Sequence, residues 1–238
     1  MRASYSENLE NLERDLGYSF KNKELPVEAL THKSFHHENP GKVKSYNERL
    51  EFIGDSVFGL VIVEYLFRFN DEFTESDMSK IKSYIVKGAV LSEVAEGLGL
   101  GSYLRLGRGE EDTGGRQKRS LLANAMEAVF GAVYLDSGYE TAREVILGLF
   151  KDRIRSVISS GQYHDYKTEL QEKSQMLYGV LPEYRIARQE GEEHRKTFTV
   201  DVFINGRALG RGAGKNKKEA QTAAAKEALL RLKEDKPA

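Results

Sequence analysis

Residues 47–67 read NERLEFIGDSVFGLVIVEYLF, and how this segment is read decides the fold. It has helical length, and apolar side chains recur at every phase of the turn. That predicts a helix apolar all round and central to its domain. Three carboxylates, Glu48, Glu51 and Asp55, interrupt it. At i, i+3 and i+7 they share one helix face, where like charges repel. Burying an unpaired carboxylate costs several kcal/mol, so something positive is expected to meet this face. Ser45 and Glu48 also have capping-box spacing, in which Glu48 closes only the helix N-terminus. Both readings of Glu48 stand. Glu51 and Asp55 lie beyond the first turn, where a cap does not reach.

A second apolar segment carries the same kind of signal. Ser120–Leu135 is expected to be a helix with Asn124 and Glu127 at i, i+3. Two buried helices with oxygen ligands on facing sides can enclose a cage of oxygens. Hard oxygen donors without His or Cys suit Mg²⁺, with Mn²⁺ as a substitute. Glu75, expected in a turn before Ser76, is a further candidate oxygen. Such an ion activates water for phosphodiester cleavage and neutralises phosphate charge.

The remaining N-terminal segments also read as helices: residues 6–16 with Leu9, Leu12 and Leu16, a short helix opened by Pro26, Ser76–Gly97 and Thr141–Ile158. His36–Ser45, containing Pro40-Gly41, and Gly107–Arg119 read as loops. His36 and His37 therefore read as solvated and His32 as a satisfied core group, not as metal ligands. Ser159–Gln162 suggests a linker. Beyond it the pattern changes to a helix over Asp165–Tyr178, then strands over Glu183–Arg188, Thr197–Ile204 and Arg207–Gly212. Asn205-Gly206 marks a hairpin turn, and a final helix covers Lys217–Leu232. The order is α-β-β-β-α.

The 238 residues include no cysteine, which excludes disulfides, thiolate metal sites and a cysteine nucleophile. No leader or membrane-length apolar run is present, so a cytoplasmic, non-membrane protein is expected. The net charge of −1 is unevenly divided. His164 onward carries 15 Lys+Arg against 12 Asp+Glu, a net of +3 that leaves −4 for residues 1–163. A basic tail domain suits a polyanion.

Asn47–Asp55 closely resembles the NERLEFLGD motif of the ribonuclease III family. Ala29–Ser34 (ALTHKS), Asp77–Lys80, Leu104–Gly107 and Glu127–Asp136 are similar to the same family in the same order. The C-terminal unit resembles its double-stranded-RNA-binding domain. The resemblance implies an all-α endonuclease domain (1–158), a linker (159–163) and a small α+β RNA-binding domain (164–238). It implies Mg²⁺-dependent cleavage of double-stranded RNA to 5′-phosphate and 3′-hydroxyl ends, in rRNA and mRNA processing, with no small-molecule cofactor. By position, Glu51, Asp55 and Glu127 are catalytic metal ligands and Asn124 is the fourth ligand. Glu48 and Glu75 match acidic positions tied to RNA handling. Asn124 stands where the family often has Asp, either as a natural variant or as an engineered change that traps bound RNA. Weaker metal affinity is expected of it. The family forms homodimers through this domain, and Phe52 matches the residue that plugs a partner pocket. On sequence alone Phe52 reads equally as a core residue.

In the C-terminal unit, Thr168, Gln171, Glu172 and Gln175 share a helix face that suits 2′-hydroxyls. His194 offers a second groove contact. Lys217 and Lys218 open the last helix, where its dipole favours phosphate. A plain solvated face and a basic surface run are the rival readings of these groups. Two rivals to the enzyme also stand: a duplex-RNA binder that does not cut, and a helical scaffold whose carboxylates pair with lysines.

Overall fold

The computed structural model describes residues 5–191 and 196–234. The chain divides into two compact units, Met1–Tyr163 and His164–Ala238. In the first unit the described elements are helical: α1 (Tyr5–Leu16), α2 (Glu24–Ala29), α3 (Lys33–Glu38), α4 (Glu48–Phe69), α5 (Glu75–Ile85), α6 (Gly88–Gly97), α7 (Arg108–Asp112) and α8 (Arg119–Ser160). Helix α1 buries Leu9, Leu12 and Leu16, the stripe its spacing predicts.

Helix α4 packs along α8. It buries Leu50, Val57, Phe58, Val61, Ile62 and Leu66. Phe58 lies against Phe130 and Phe150, with ring centroids 5.4 and 4.9 Å apart. The expectation that α4 is enclosed on all sides fails. Phe52 is 79% exposed, Phe67 68% and Leu60 55%. A wholly apolar helix needs cover on every side, but that cover need not come from its own chain. The same exposure removes the core reading of Phe52.

Several local expectations change. Arg108–Asp112, read as loop, forms the five-residue helix α7, too short for an apolar stripe to announce it. Helix α2 starts at Glu24, two residues before Pro26. Residues 36–38 are not loop but the end of α3, a short surface helix without an apolar stripe to announce it. His32 caps α3, its Nδ1 accepting from the Ser34 backbone N–H at 3.3 Å. Ser76–Gly97 is two helices, broken where Lys87 adopts an extended conformation. Glu75 is the first residue of α5 rather than part of a turn, because Thr74 and Asp77 form a reciprocal capping box ahead of it. Glu48 opens α4 without the expected capping box: the N-cap is Asn47, with no side-chain cap bond.

Helix α8 is broken once, at Gly138, whose φ of 79° and ψ of −176° are not helical. Just before the break, the Asp136 carboxylate accepts from the Tyr18 hydroxyl (2.6 Å) and from the Lys21 and Asn22 backbone N–H groups (2.7 and 3.0 Å). The second half continues through Ser159 and Ser160, read from sequence as linker, and ends at Gly161 with φ 66°.

The second unit is α9 (Tyr166–Tyr178), β1 (Glu183–Glu190), β2 (Thr197–Ile204), β3 (Arg207–Gly214) and α10 (Lys217–Glu234). The strands form an antiparallel sheet in the order β1-β2-β3. Asn205 and Gly206 turn the hairpin with φ of 50° and 74°, the left-handed pair this two-residue loop requires. Helix α10 lies very close to β3. A Cβ on Gly212 would sit 2.1 Å from the Ala224 backbone nitrogen, so only glycine fits. Ala220 and Ala224 are fully buried in that contact, whereas Ala223 is only partly covered.

Candidate active site

Two glycines bring the carboxylates together. A Cβ on Gly54 of α4 would lie 1.8 Å from the Glu127 carbonyl oxygen of α8. Reciprocally, a Cβ on Gly131 would lie 2.2 Å from the Leu50 carbonyl oxygen. The helices thus meet backbone to backbone at this crossing, as glycine alone permits. Beside this crossing, Glu51 and Asp55 from α4 and Asn124 and Glu127 from α8 line one cavity of about 510 Å³. His32, Lys33, Asn47, Glu48, Phe52 and Leu121 complete its wall.

The electrostatics are those of crowded negative charge. Burial, and then the Asp55 and Glu51 charges, push Glu127 up to about 7. Burial and the neighbouring Glu48 raise Glu51, against a hydrogen bond donated by the Asn124 side chain. Among the described residues no Lys or Arg forms an ion pair with Glu51, Asp55 or Glu127. Lys33 pairs instead with Glu48, Nζ to Oε1 at 3.2 Å. The carboxylates line the walls rather than meeting at a point: among the described residues no three acidic or imidazole groups are close enough to enclose a cation by themselves. Glu51, Asp55, Asn124 and Glu127 still fit a hard divalent ion that keeps several waters, since each offers an oxygen and the three carboxylate charges have no ion-pair partner among the described residues.

Glu75 is not part of this arrangement. It lines a separate cavity on α5 with Lys80, Ser83 and Tyr84, and accepts from the Ser79 hydroxyl at 2.9 Å. Helical spacing could not reveal this, because it gives a side chain's phase and not its neighbours. Phe52 lies between the acidic cavity and a second one lined by Leu25, Leu50, Ile53 and Leu135, with Glu28, Glu48 and Arg49 also on its wall. Sequence reasoning gave no site role to Lys33, although it lies in the ALTHKS segment. His32 also faces the acidic cavity; burial lowers its pKa, and Nδ1 is engaged with the Ser34 hydroxyl at 2.8 Å.

In the second unit Thr168, Gln171, Glu172 and Gln175 are all exposed on α9, and the last three border a shallow cleft with Met176 and Leu181. Lys217 and Lys218 are exposed in the first turn of α10. The Asn216 Oδ1 accepts from the Glu219 N–H at 2.9 Å and its amide donates back to the Glu219 carboxylate at 2.7 Å, fixing that turn. His194 lies outside the described residues.

Comparison with known proteins agrees with this two-part architecture. Residues 22–153 match the ribonuclease-III-like family and residues 166–232 the double-stranded RNA binding motif. Ribonuclease 3 of Caldanaerobacter subterraneus subsp. tengcongensis is 48% identical over 221 residues, 93% of this chain and 96% of that protein. The chain belongs to the ribonuclease III family. Ribonuclease 3 of Syntrophotalea carbinolica is 43% identical over 223 residues, 94% of this chain and 96% of its own length. A solved nuclease domain of ribonuclease III from Campylobacter jejuni superposes with a TM-score of 0.57 at 41% identity, covering 61% of this chain and 97% of that one. That protein is described as flexible in a region involved in dimer formation. As a member of the ribonuclease III family, this protein is an endoribonuclease, a hydrolase whose second unit is a double-stranded RNA binding motif. Family membership therefore favours the enzyme over the non-cutting binder and the scaffold. Among the described residues no helix is long and apolar enough to cross a membrane.

Proposed function

We propose that this protein cleaves double-stranded RNA with Mg²⁺ (or Mn²⁺), leaving 5′-phosphate and 3′-hydroxyl ends, as a cytoplasmic homodimer that processes rRNA and mRNA precursors. The observation that carries the proposal is the backbone contact at Gly54 and Gly131, which sets Glu51 and Asp55 opposite Asn124 and Glu127 in one cavity. Those four residues would hold the ion, which when bound supplies an activated water and positive charge for the phosphate. Without it, three unpaired carboxylates repel an entering phosphodiester. Glu127, with a pKa near neutrality, then keeps a proton on its carboxyl part of the time. Asn124 donates its amide N–H to Glu51; the same amide turned end for end offers Oδ1 as a neutral ligand. No serine, cysteine or histidine nucleophile is required.

The dimer reading rests on Phe52, Leu60 and Phe67, large apolar groups standing in water on one helix. Phe52 would fill the second cavity of another copy and place one acidic cavity against each RNA strand. In the second unit Thr168, Gln171, Glu172 and Gln175 would contact 2′-hydroxyls, with Lys217 and Lys218 on phosphates and His194 in a further groove contact. Glu75 remains a proposed RNA-handling group by family position, away from the acidic cavity. The decisive test is Glu127→Gln in a long-duplex assay. Cleavage in Mg²⁺ should collapse by at least 10²-fold while the duplex is still retarded; undiminished cleavage would refute the assignment.

A further inference from the structure

Resting on that reading, we infer that Lys33 is a phosphate contact at the rim of the acidic cavity, and that Glu48 holds its ammonium there until RNA arrives. Among the described residues lining the cavity, Lys33 is the one Lys or Arg, facing Glu48, Glu51, Asp55 and Glu127. An RNA strand entering among four carboxylates needs a fixed positive group for the phosphates beside the scissile one. Lys33 is placed to be that group.

Its position is defined by the scaffold. Lys33 opens α3, only six residues long, yet separate segments tie this region down. The His32 N–H donates to the Arg105 carbonyl at 3.0 Å and the Asn47 N–H to the Thr31 carbonyl at 2.9 Å. The Ser34 hydroxyl accepts from the Gly107 N–H at 2.9 Å, and the Glu38 carboxylate from the Arg108 N–H at 2.8 Å. The guanidinium of Arg105 stacks over the Phe35 ring, 4.4 Å from its centroid. The lysine therefore starts from an anchored Cα at the cavity edge.

The Lys33–Glu48 pair suits a releasable partner. Its side chains are 55% and 49% exposed, so water and salt screen it and it adds little stability. A phosphodiester oxygen offers the same charge-assisted hydrogen bond together with the local field of the RNA backbone, so exchange from carboxylate to phosphate is accessible. The rival account is that Lys33 exists to relieve repulsion between Glu48 and Glu51. The two accounts differ in what happens when Glu48 is removed as well.

The experiment measures duplex-RNA affinity against salt concentration in Mg²⁺, with every protein carrying Glu127→Gln so that the duplex is bound and left uncut. The proteins are the full chain, Lys33→Met, Lys33→Arg, Glu48→Gln and Lys33→Met/Glu48→Gln. Lys44→Met serves as control, since Lys44 pairs with Glu24 away from this cavity. Loss of one phosphate contact should flatten the log–log salt slope by about one. We expect that change in Lys33→Met and equally between Glu48→Gln and the double variant, with Lys33→Arg and Lys44→Met retaining the full slope. A full slope in Lys33→Met, or a double variant indistinguishable from Glu48→Gln, overturns the inference. Mg²⁺-dependent cleavage by the unmodified chain is measured in parallel. Its absence would sink the proposed function, whereas normal cleavage with an unchanged Lys33→Met slope sinks only the role of Lys33.

Discussion

Replacing Gly54 with alanine should dismantle the site without touching any of its side chains. The added Cβ would lie 1.8 Å from the Glu127 carbonyl oxygen and 2.9 Å from the Gly131 nitrogen, both backbone atoms of α8. An ordinary carbon–oxygen contact needs about 3.3 Å, so the helices must part by roughly 1.5 Å. A gap of 0.5–1 Å already forfeits about a quarter to a half of the dispersion attraction between facing atoms. Overpacking in a close-packed core costs about 1–3 kcal/mol, and a clash against backbone belongs at or above the top of that range. At roughly 2–4 °C per kcal/mol for a chain this size, the melting temperature should fall by about 6–12 °C. Moving Asp55 and Glu51 about 1 Å from Glu127 should cost cleavage on the order of 10²-fold even where the variant is folded. Gly59→Ala is the control on the same helix. Its Cβ would meet the Lys82 Cε at 3.5 Å, an ordinary contact, and the change should gain about 0.5–1 kcal/mol of helix stability. Thermal unfolding and initial cleavage rates, with folding checked by circular dichroism, decide the matter. If Gly54→Ala melts and cleaves like Gly59→Ala, the backbone crossing does not position the site.

In chelator, folded Glu127 protonates near 7 against 4.5 for the unfolded carboxyl, so the fold loses stability as pH rises through that window. The full shift corresponds to about 3 kcal/mol, reduced to roughly 1–2 by partial exposure; Glu127→Gln should melt higher than wild type at pH 8 and not at pH 4, and a pH-independent difference would contradict this. Asn124→Asp adds a negative charge facing Glu51 and should lower the Mg²⁺ concentration giving half-maximal cleavage about tenfold, or ~1.4 kcal/mol; an unchanged Mg²⁺ titration would show that position 124 is not a ligand. Phe52→Glu puts a charge where an apolar group would be buried and should shift sedimentation toward monomer at micromolar protein; an unaltered dimer would remove Phe52 from the interface.

The legible parts of the fold were those written in local chemistry. Leu9, Leu12 and Leu16 announced α1, and Asn205-Gly206 announced the hairpin, because a helical stripe and a left-handed turn are properties of neighbouring residues. The facing of Glu51 and Asp55 toward Asn124 and Glu127 was anticipated from two apolar helices with matched oxygen spacing. Their crossing point was not, since Gly54 and Gly131 reveal their purpose only when the opposing backbone is in place. Helix α3 was hidden because a six-residue surface helix needs no apolar periodicity. The place of Glu75 was hidden because phase along a helix does not say which cavity a side chain enters. The outward face of α4 was missed for a different reason: Phe52, Leu60 and Phe67 have the same composition whether covered by their own chain or by another.

Phe52 and Glu48 each belong both to the acidic cavity and to the one beside Leu25 and Leu135, so the two share a party wall. Whatever occupies the neighbouring room braces the partition of the acidic one. If the occupant is another subunit, turnover per chain becomes a matter of mass action, falling when the protein is diluted below its self-association constant and recovering when an inactive copy with an intact Phe52 is added back.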